Sequence, residues 1–171
     1  MLNYIAQGIG LIGMILVFAA FQNNNKKKIL LIQACAGAVF AVHFMLLGAY
    51  TGAVMNATEV VRNLMFSKGE NLKHKKVWIA VFMVLFTLMG SFTWQNAFSI
   101  LPIFAMNLSN IAFSMKNTKL LRLCYLPVSI SWLIYNITAF SIAGIITEAF
   151  CLISMTVAFI RFDILKKQKS E

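Results

Sequence analysis

The sequence predicts an all-α membrane protein of seven transmembrane helices, and three observations carry that class. The 171 residues are 60% hydrophobic and 12% charged, with a mean hydropathy of +0.80, far outside soluble globular usage. Apolar runs long enough to cross a bilayer, roughly 17 to 25 residues, follow one another near 2–21, 29–48, 51–67, 77–94, 96–115, 119–137 and 139–161. Lysine and arginine, which report membrane orientation, gather in every second connection.

The first span has no basic residue ahead of its apolar run, and Lys26, Lys27 and Lys28 come after it, the reverse of a cleaved signal peptide. The second follows that basic turn. The third, TGAVMNATEVVRNLMF over residues 51–66, is the shortest and most polar, with about 24 Å of helix. The fourth, VWIAVFMVLFTLMGSFTW over residues 77–94, is almost wholly apolar and suits a lipid-facing tether. The fifth carries Asn107, Ser109 and Asn110, read as hydrogen-bond glue between helices, as are Gln7 and Gln33. The sixth and seventh supply further polar residues within apolar runs.

The basic clusters decide whether the third span crosses. They are Lys26, Lys27, Lys28; then Arg62, Lys68, Lys73, Lys75, Lys76; then Lys116, Lys119, Arg122; and finally Arg161, Lys166, Lys167, Lys169. All 15 share one face if the span crosses, whereas the turns GAYTGA, SFTWQNAF and NITAFSI are uncharged. The expected topology is amino terminus out and carboxyl terminus in. A net charge of +10 placed this way argues against nucleic-acid binding. Cys35, Cys124 and Cys151 sit in apolar segments without disulfide or metal spacing, so no metal or cofactor is expected.

An internal repeat is suggested by AAFQNNNKKKIL, residues 19–30, against IAFSMKNTKLLR, residues 111–122, at an offset of 92. Ala49, Tyr50, Thr51 and Ala53 meet Ala139, Phe140, Ser141 and Ala143 at 90, and Thr58 and Glu59 meet Thr147 and Glu148 at 89. Chance similarity of apolar helices remains the alternative. Three spans, one connecting span and three more make parallel repeats, with a substrate site near midplane where the halves meet. The expected divisions are 1–67 for the first repeat, 68–95 for the basic loop and linker helix, 96–162 for the second repeat and 163–171 for a basic tail.

The basic loop FQNNNKKK, the run AVHFMLLGAYTGA, the segment EVVRNLMF and the second-half runs IYNITAFSIAGIITE and IRFD resemble the YgjV-type bacterial inner-membrane proteins over nearly the whole chain. In layout the chain is also similar to the SWEET and PQ-loop transporter group, although Pro102 and Pro127, the only two prolines, are both in the second half, where that group has hinge prolines in each. The resemblance implies a multi-pass protein of the bacterial inner membrane in a SWEET-like 3+1+3 arrangement. It singles out Arg62, Asn136 and Glu148 as functional candidates.

Two of the five acidic residues, Glu59 and Glu148, fall in mid-span at matching places, roughly 10 to 14 Å from the outer end. A charge there costs about 2.5 to 3.5 kcal/mol on insertion scales, so such groups face the bundle interior and a partner. Gly52, Asn56, Glu59 and Asn63 share one face of the third helix. Gly144, Glu148 and Cys151 share one face of the last, and Trp132, Tyr135 and Asn136 offer aromatic and amide groups. The candidate substrate-binding residues are therefore Asn56, Glu59, Asn63, Trp132, Tyr135, Asn136 and Glu148. His43, Glu59, Arg62 and Glu148 are candidates for proton coupling or ion pairing. Each has a plainer alternative: Glu59 and Arg62, three apart, suit a local ion pair, His43 suits a hydrogen-bonded packing role, and Trp132 and Tyr135 suit packing.

The leading expectation is a transporter or facilitator of a small polar metabolite, rocking two three-helix halves about a midplane site, with proton coupling through the buried acids. The alternative is a non-transporting accessory or sensor protein whose polar groups hold helices together. A retinal photoreceptor needs a lysine in the last span, and every lysine here is in a loop or tail. An intramembrane enzyme lacks its motif. The expected partners are the lipid bilayer, a small polar solute and a second copy of the chain.

Overall fold

The computed structural model describes residues 2–23, 25–69, 72–112 and 118–159. Among the described residues the chain forms seven α-helices, one 3-10 turn and no strand: α1 Leu2–Phe21, α2 Lys26–Leu46, α3 Tyr50–Phe66, α4 Lys75–Phe92, the 3-10 turn Ala97–Ser99, α5 Ile100–Ala112, α6 Thr118–Thr138 and α7 Ile142–Phe159. The predicted tail 163–171, Glu70, Lys116, Asn117 and Arg161 lie outside the described residues. α1, α2, α4 and α7 are long and apolar enough to cross a membrane by themselves, and α5 and α6 contain shorter apolar stretches. α3 is in neither class. It is held instead between α2, α4 and α5, where Asn56, Arg62 and Asn63 are buried, so its polar face need not meet lipid.

Local chemistry sets the helix ends. Asn25 caps α2 by accepting from Lys28 N at 3.2 Å. α2 ends in a pair of reversed bonds, Gly48 N to Met45 O at 3.1 Å and Ala49 N to Phe44 O at 2.9 Å, with Gly48 at φ +72°. That is a Schellman stop, and it needs a left-handed residue at the position glycine fills. α6 ends the same way, Phe140 N to Ile137 O at 3.2 Å and Ser141 N to Asn136 O at 2.9 Å, with Phe140 forced to φ +54°. Asn96 and Ser99 form a capping box on the 3-10 turn before α5, a break in the fifth span that apolar length did not foretell. Pro102 in the third place of α5 removes an N–H that has few partners to lose, whereas Pro127 lies inside α6.

α2 packs between α1 and α3, and α6 between α5 and α7. α1 meets α7, α3 meets α5, and α4 leans on α3 and α5. On α4 the buried stripe is Phe82, Phe86 and Gly90, while Val77, Val84, Leu88 and Phe92 are exposed, the pattern of a helix on the lipid side of a bundle. Asn107 and Asn110 of α5 donate to Thr87 Oγ1 at 3.2 Å and Ile79 O at 2.7 Å, so both bind α5 to α4 as interhelical glue.

The uncharged turns meet at one end. Gln95 donates to Gly48 O at 2.8 Å and accepts from Tyr50 N at 2.8 Å, which joins the α4–α5 connection to the α2–α3 turn. Gln7 donates to Phe140 O at 2.7 Å and accepts from Ile142 N at 3.1 Å, which joins the start of α1 to the α6–α7 turn. Lys27 and Lys28 at the start of α2, Lys68 just after α3 and Lys75 and Lys76 at the start of α4 lie at the opposite ends of their helices from these turns.

Candidate functional site

The interior of the bundle holds a cavity of about 690 Å³, of the size that takes a small molecule. Its wall comes from α1, α2, α3, α5, α6 and α7, and α4 contributes nothing to it. At the basic end it reaches Ile29 in the first turn of α2 and Ala158 in the last described turn of α7. At the uncharged end it stops at Phe44, Asn136 and Gly144.

The polar wall is built on helical periodicity. α6 presents Tyr125, Val128, Ser129, Trp132 and Asn136, spaced by three and four, and α7 presents Gly144, Thr147, Glu148, Cys151 and Ser154. α3 presents Asn56, Glu59 and Arg62. Glu59 and Glu148 thus open on one chamber, with neither against lipid. They are not at matching depths: Glu59 is the tenth residue of α3 and Glu148 the seventh of α7, a difference of three residues or about 4.5 Å. The seventh residue of α3 is Asn56.

Among the described residues three charged side chains line the cavity, and two of them neutralise each other. Arg62, 2% exposed, donates from Nη2 to Glu59 Oε1 at 2.8 Å and from Nη1 to Ser109 Oγ at 3.1 Å. Its guanidinium carbon stands 5.6 Å from the centre of the Phe86 ring, within cation–π range. Asn63 sits behind this pair, donating to Glu59 Oε1 at 3.3 Å and accepting from Arg62. Asn63 therefore holds the ion pair and does not line the cavity. Ser109, read from sequence as glue, does line it, and its bond from Arg62 ties α3 to α5. Glu148 faces Ser129 of α6 across the chamber wall and has no ion pair among the described residues.

Aromatic rings close the uncharged end. Phe44 stacks on Trp132 at 5.9 Å and 26°, and Trp132 meets Tyr135 edge-on at 5.8 Å. Trp132 and Asn136 line the cavity, whereas Tyr135 lies outside it, spending its hydroxyl as the acceptor for Gly52 N at 2.8 Å. His43, also outside the cavity and fully buried, bonds through Nδ1 to Ala6 O at 2.7 Å and through Nε2 to Ser141 Oγ at 2.7 Å. A carbonyl only accepts, so Nδ1 carries the proton, and in the neutral ring the Ser141 hydroxyl donates to Nε2. Histidine here joins α1, α2 and the start of α7. Asn136 is 2% exposed with Oδ1 lacking a hydrogen-bond partner, and a Cβ at Gly144 would overlap its amide. Only glycine lets α6 and α7 approach at that point.

Sequence reasoning missed Phe44, Tyr125 and Ser129 as wall residues. Stepping back from Trp132 by three and then four along α6 finds Ser129 and Tyr125, so their signal was periodicity. Phe44 carried no such signal, being one ring in an apolar run.

A family model described as a bacterial inner membrane protein, Imp-YgjV, matches residues 4–166. The inner membrane protein YgjV of Escherichia coli (strain K12) is 26% identical over 166 residues, which cover 96% of this chain and 88% of that protein. No solved structure matches. A family match over nearly the whole length, joined to four helices of crossing length, makes this chain a multi-pass helical member of the YgjV family of bacterial inner membrane proteins.

Proposed function

We propose that the protein is a transporter or facilitator for a small solute, working by alternating access between two parallel three-helix repeats, α1–α3 and α5–α7, with α4 as the linker, in the 3+1+3 manner of SWEET-like proteins. Several regularities support the repeat. α2 and α6 begin at Lys26 and Thr118 and end at Leu46 and Thr138, and α3 and α7 begin at Tyr50 and Ile142, each pair 92 apart. The packing of α1 on α7 repeats as that of α5 on α3. The two glutamine clamps are alike as well: Gln7 of the first repeat and Gln95, at the end of the linker segment, each bond the carbonyl of a turn and the amide two residues on.

The single observation that carries the transport reading is the chamber itself, lined by both halves and ending, on the uncharged side, at a layer of bonds made between them. In this reading the structure is the inward-facing state, since the basic loops mark the cytoplasmic side. Opening outward means breaking the Gln7 and Gln95 clamps and parting the Phe44, Trp132 and Tyr135 rings. The accessory-protein reading accounts for His43 and Asn63 as helix glue but leaves a chamber of about 690 Å³ without a use.

A cysteine at Ser154, in a chain with Cys35, Cys124 and Cys151 changed to alanine, tests this. An impermeant thiol reagent should label it from the side of the basic loops in oriented vesicles, and labelling from the opposite side should appear in the Gln7→Leu/Gln95→Leu variant. Absence of labelling from either side in every variant would overturn the proposal.

A further inference from the structure

The chemistry of the chamber wall narrows what it can hold, and this step rests on the transport reading above. Of the three charged groups in the wall, Glu59 and Arg62 are joined at 2.8 Å, and only Glu148 lacks an opposite charge among the described residues. Its neighbour Ser129 lies three residues before Trp132 on the same face of α6, and all three line the chamber, so an indole stands about one turn from the acid. That indole is stacked on Phe44 and held edge-on by Tyr135, so its orientation is fixed before any ligand arrives. Several other polar groups have engaged a donor, Asn56 one of its two amide N–H groups. Thr147 donates to Ala143 O at 2.8 Å, Ser109 to Met106 O at 2.9 Å, and Asn56 to Gly52 O at 2.9 Å. At the closed end Asn136 retains an unpartnered oxygen.

A carboxyl group without a counter-charge and a fixed aromatic face one turn away are complementary to one class of solute. We propose that the chamber binds a compact organic amine, with its ammonium group on Glu148 and its apolar or aromatic body against Trp132 and Phe44. The carboxylate supplies charge-assisted hydrogen bonds, and the aromatic wall supplies apolar contact and cation–π attraction. An anion meets an uncompensated acid there, and a neutral isostere leaves that acid without a counter-charge.

The test uses purified full-length protein and three probes of one shape and different charge: 2-phenylethylamine, 2-phenylethanol and phenylacetate. Binding is read by calorimetry. The amine should bind about tenfold or more tighter than the alcohol, the scale of one hydrogen bond to a charged group, and phenylacetate weakest of all. In Glu148→Gln the amine and the alcohol should converge, and Glu148→Asp should restore part of the preference. In Trp132→Leu all three should weaken together. Equal binding of amine and alcohol to the native protein, a preference for the anion, no binding of the amine, or an amine preference that survives Glu148→Gln would each overturn the assignment. The cysteine-labelling experiment reports separately. Alternating accessibility without amine selectivity would remove the ligand class and leave transport standing, whereas amine selectivity without alternation would keep the ligand site and remove transport.

Discussion

At the uncharged end, α3 and α7 begin alike and then part company. The first amide of each helix, Tyr50 N and Ile142 N, donates to a glutamine far away in the chain, Gln95 and Gln7. The third amides differ. Gly144 N donates at 3.1 Å to Ser141, the residue just before its own helix, whereas Gly52 N has Ala49 at that place and donates to the hydroxyl of Tyr135 on α6. One helix carries its cap and the other borrows it. On the two-repeat reading, parting the halves strips α3 of two amide partners and α7 of one, because helix-start amides have no partners within their own helix. Movement at this end is therefore expected to loosen α3 first.

Ser141→Ala is expected to be the most damaging change to this comparison. It removes the cap of Gly144 N and the partner of His43 Nε2 together, at about 1 to 3 kcal/mol for each buried group left unpaired. A lower unfolding midpoint in detergent checks it, and a midpoint unchanged from native would show that the cap is dispensable. Tyr135→Phe comes next, leaving Gly52 N unpaired while preserving the ring, at about 1 to 3 kcal/mol. Here the comparison can be sharpened: Ala49→Ser gives α3 the cap that α7 already has and should recover about 1 kcal/mol in the Tyr135→Phe background, with a smaller gain in the native one.

The glutamine clamps rank third, because both side chains bond at exposed positions. Gln7→Leu and Gln95→Leu should each cost about 0.5 to 1.5 kcal/mol, and the pair should add, since the clamps share no partner. A markedly non-additive double variant would mean that the two clamps open as one. The smallest effect is of opposite sign. Phe140 takes the left-handed position that Gly48 fills at the other turn, and it is 76% exposed. Phe140→Gly should raise stability by about 1 kcal/mol, the steric cost of a Cβ at positive φ, as a raised unfolding midpoint.

Much of this architecture is legible in the sequence, because crossing length and the placement of lysine are local and additive signals. The expected starts and ends of the first three spans lie within a few residues of α1, α2 and α3. The meeting of Glu59 and Glu148 in one chamber was expected too, but their pairing at one depth was not correct. The sequence alignment shifts from 92 to 89 to bring the two acids together, while the helix starts keep 92 and, on the two-repeat reading, set Glu148 against Asn56. Identity of residue type misled where backbone geometry did not. His43 and Tyr135 show a different limit. Both looked like chamber residues because both are polar or aromatic at mid-chain, yet their partners lie 98 and 83 residues away in Ser141 and Gly52. Periodicity along one helix says which face is inward, and it is silent on which neighbour that face meets.

The clamp between Gln7 and the turn at Phe140 and Ile142 spans more than 130 residues of chain, and this bears on how the protein is made. A chain delivered from its amino end places α1 in the bilayer early, yet the partner of Gln7 arrives only with the final hairpin. The start of α1 thus waits for the last part to be synthesised, and a nascent chain halted before residue 142 would lack half of the contact that Gln7 makes.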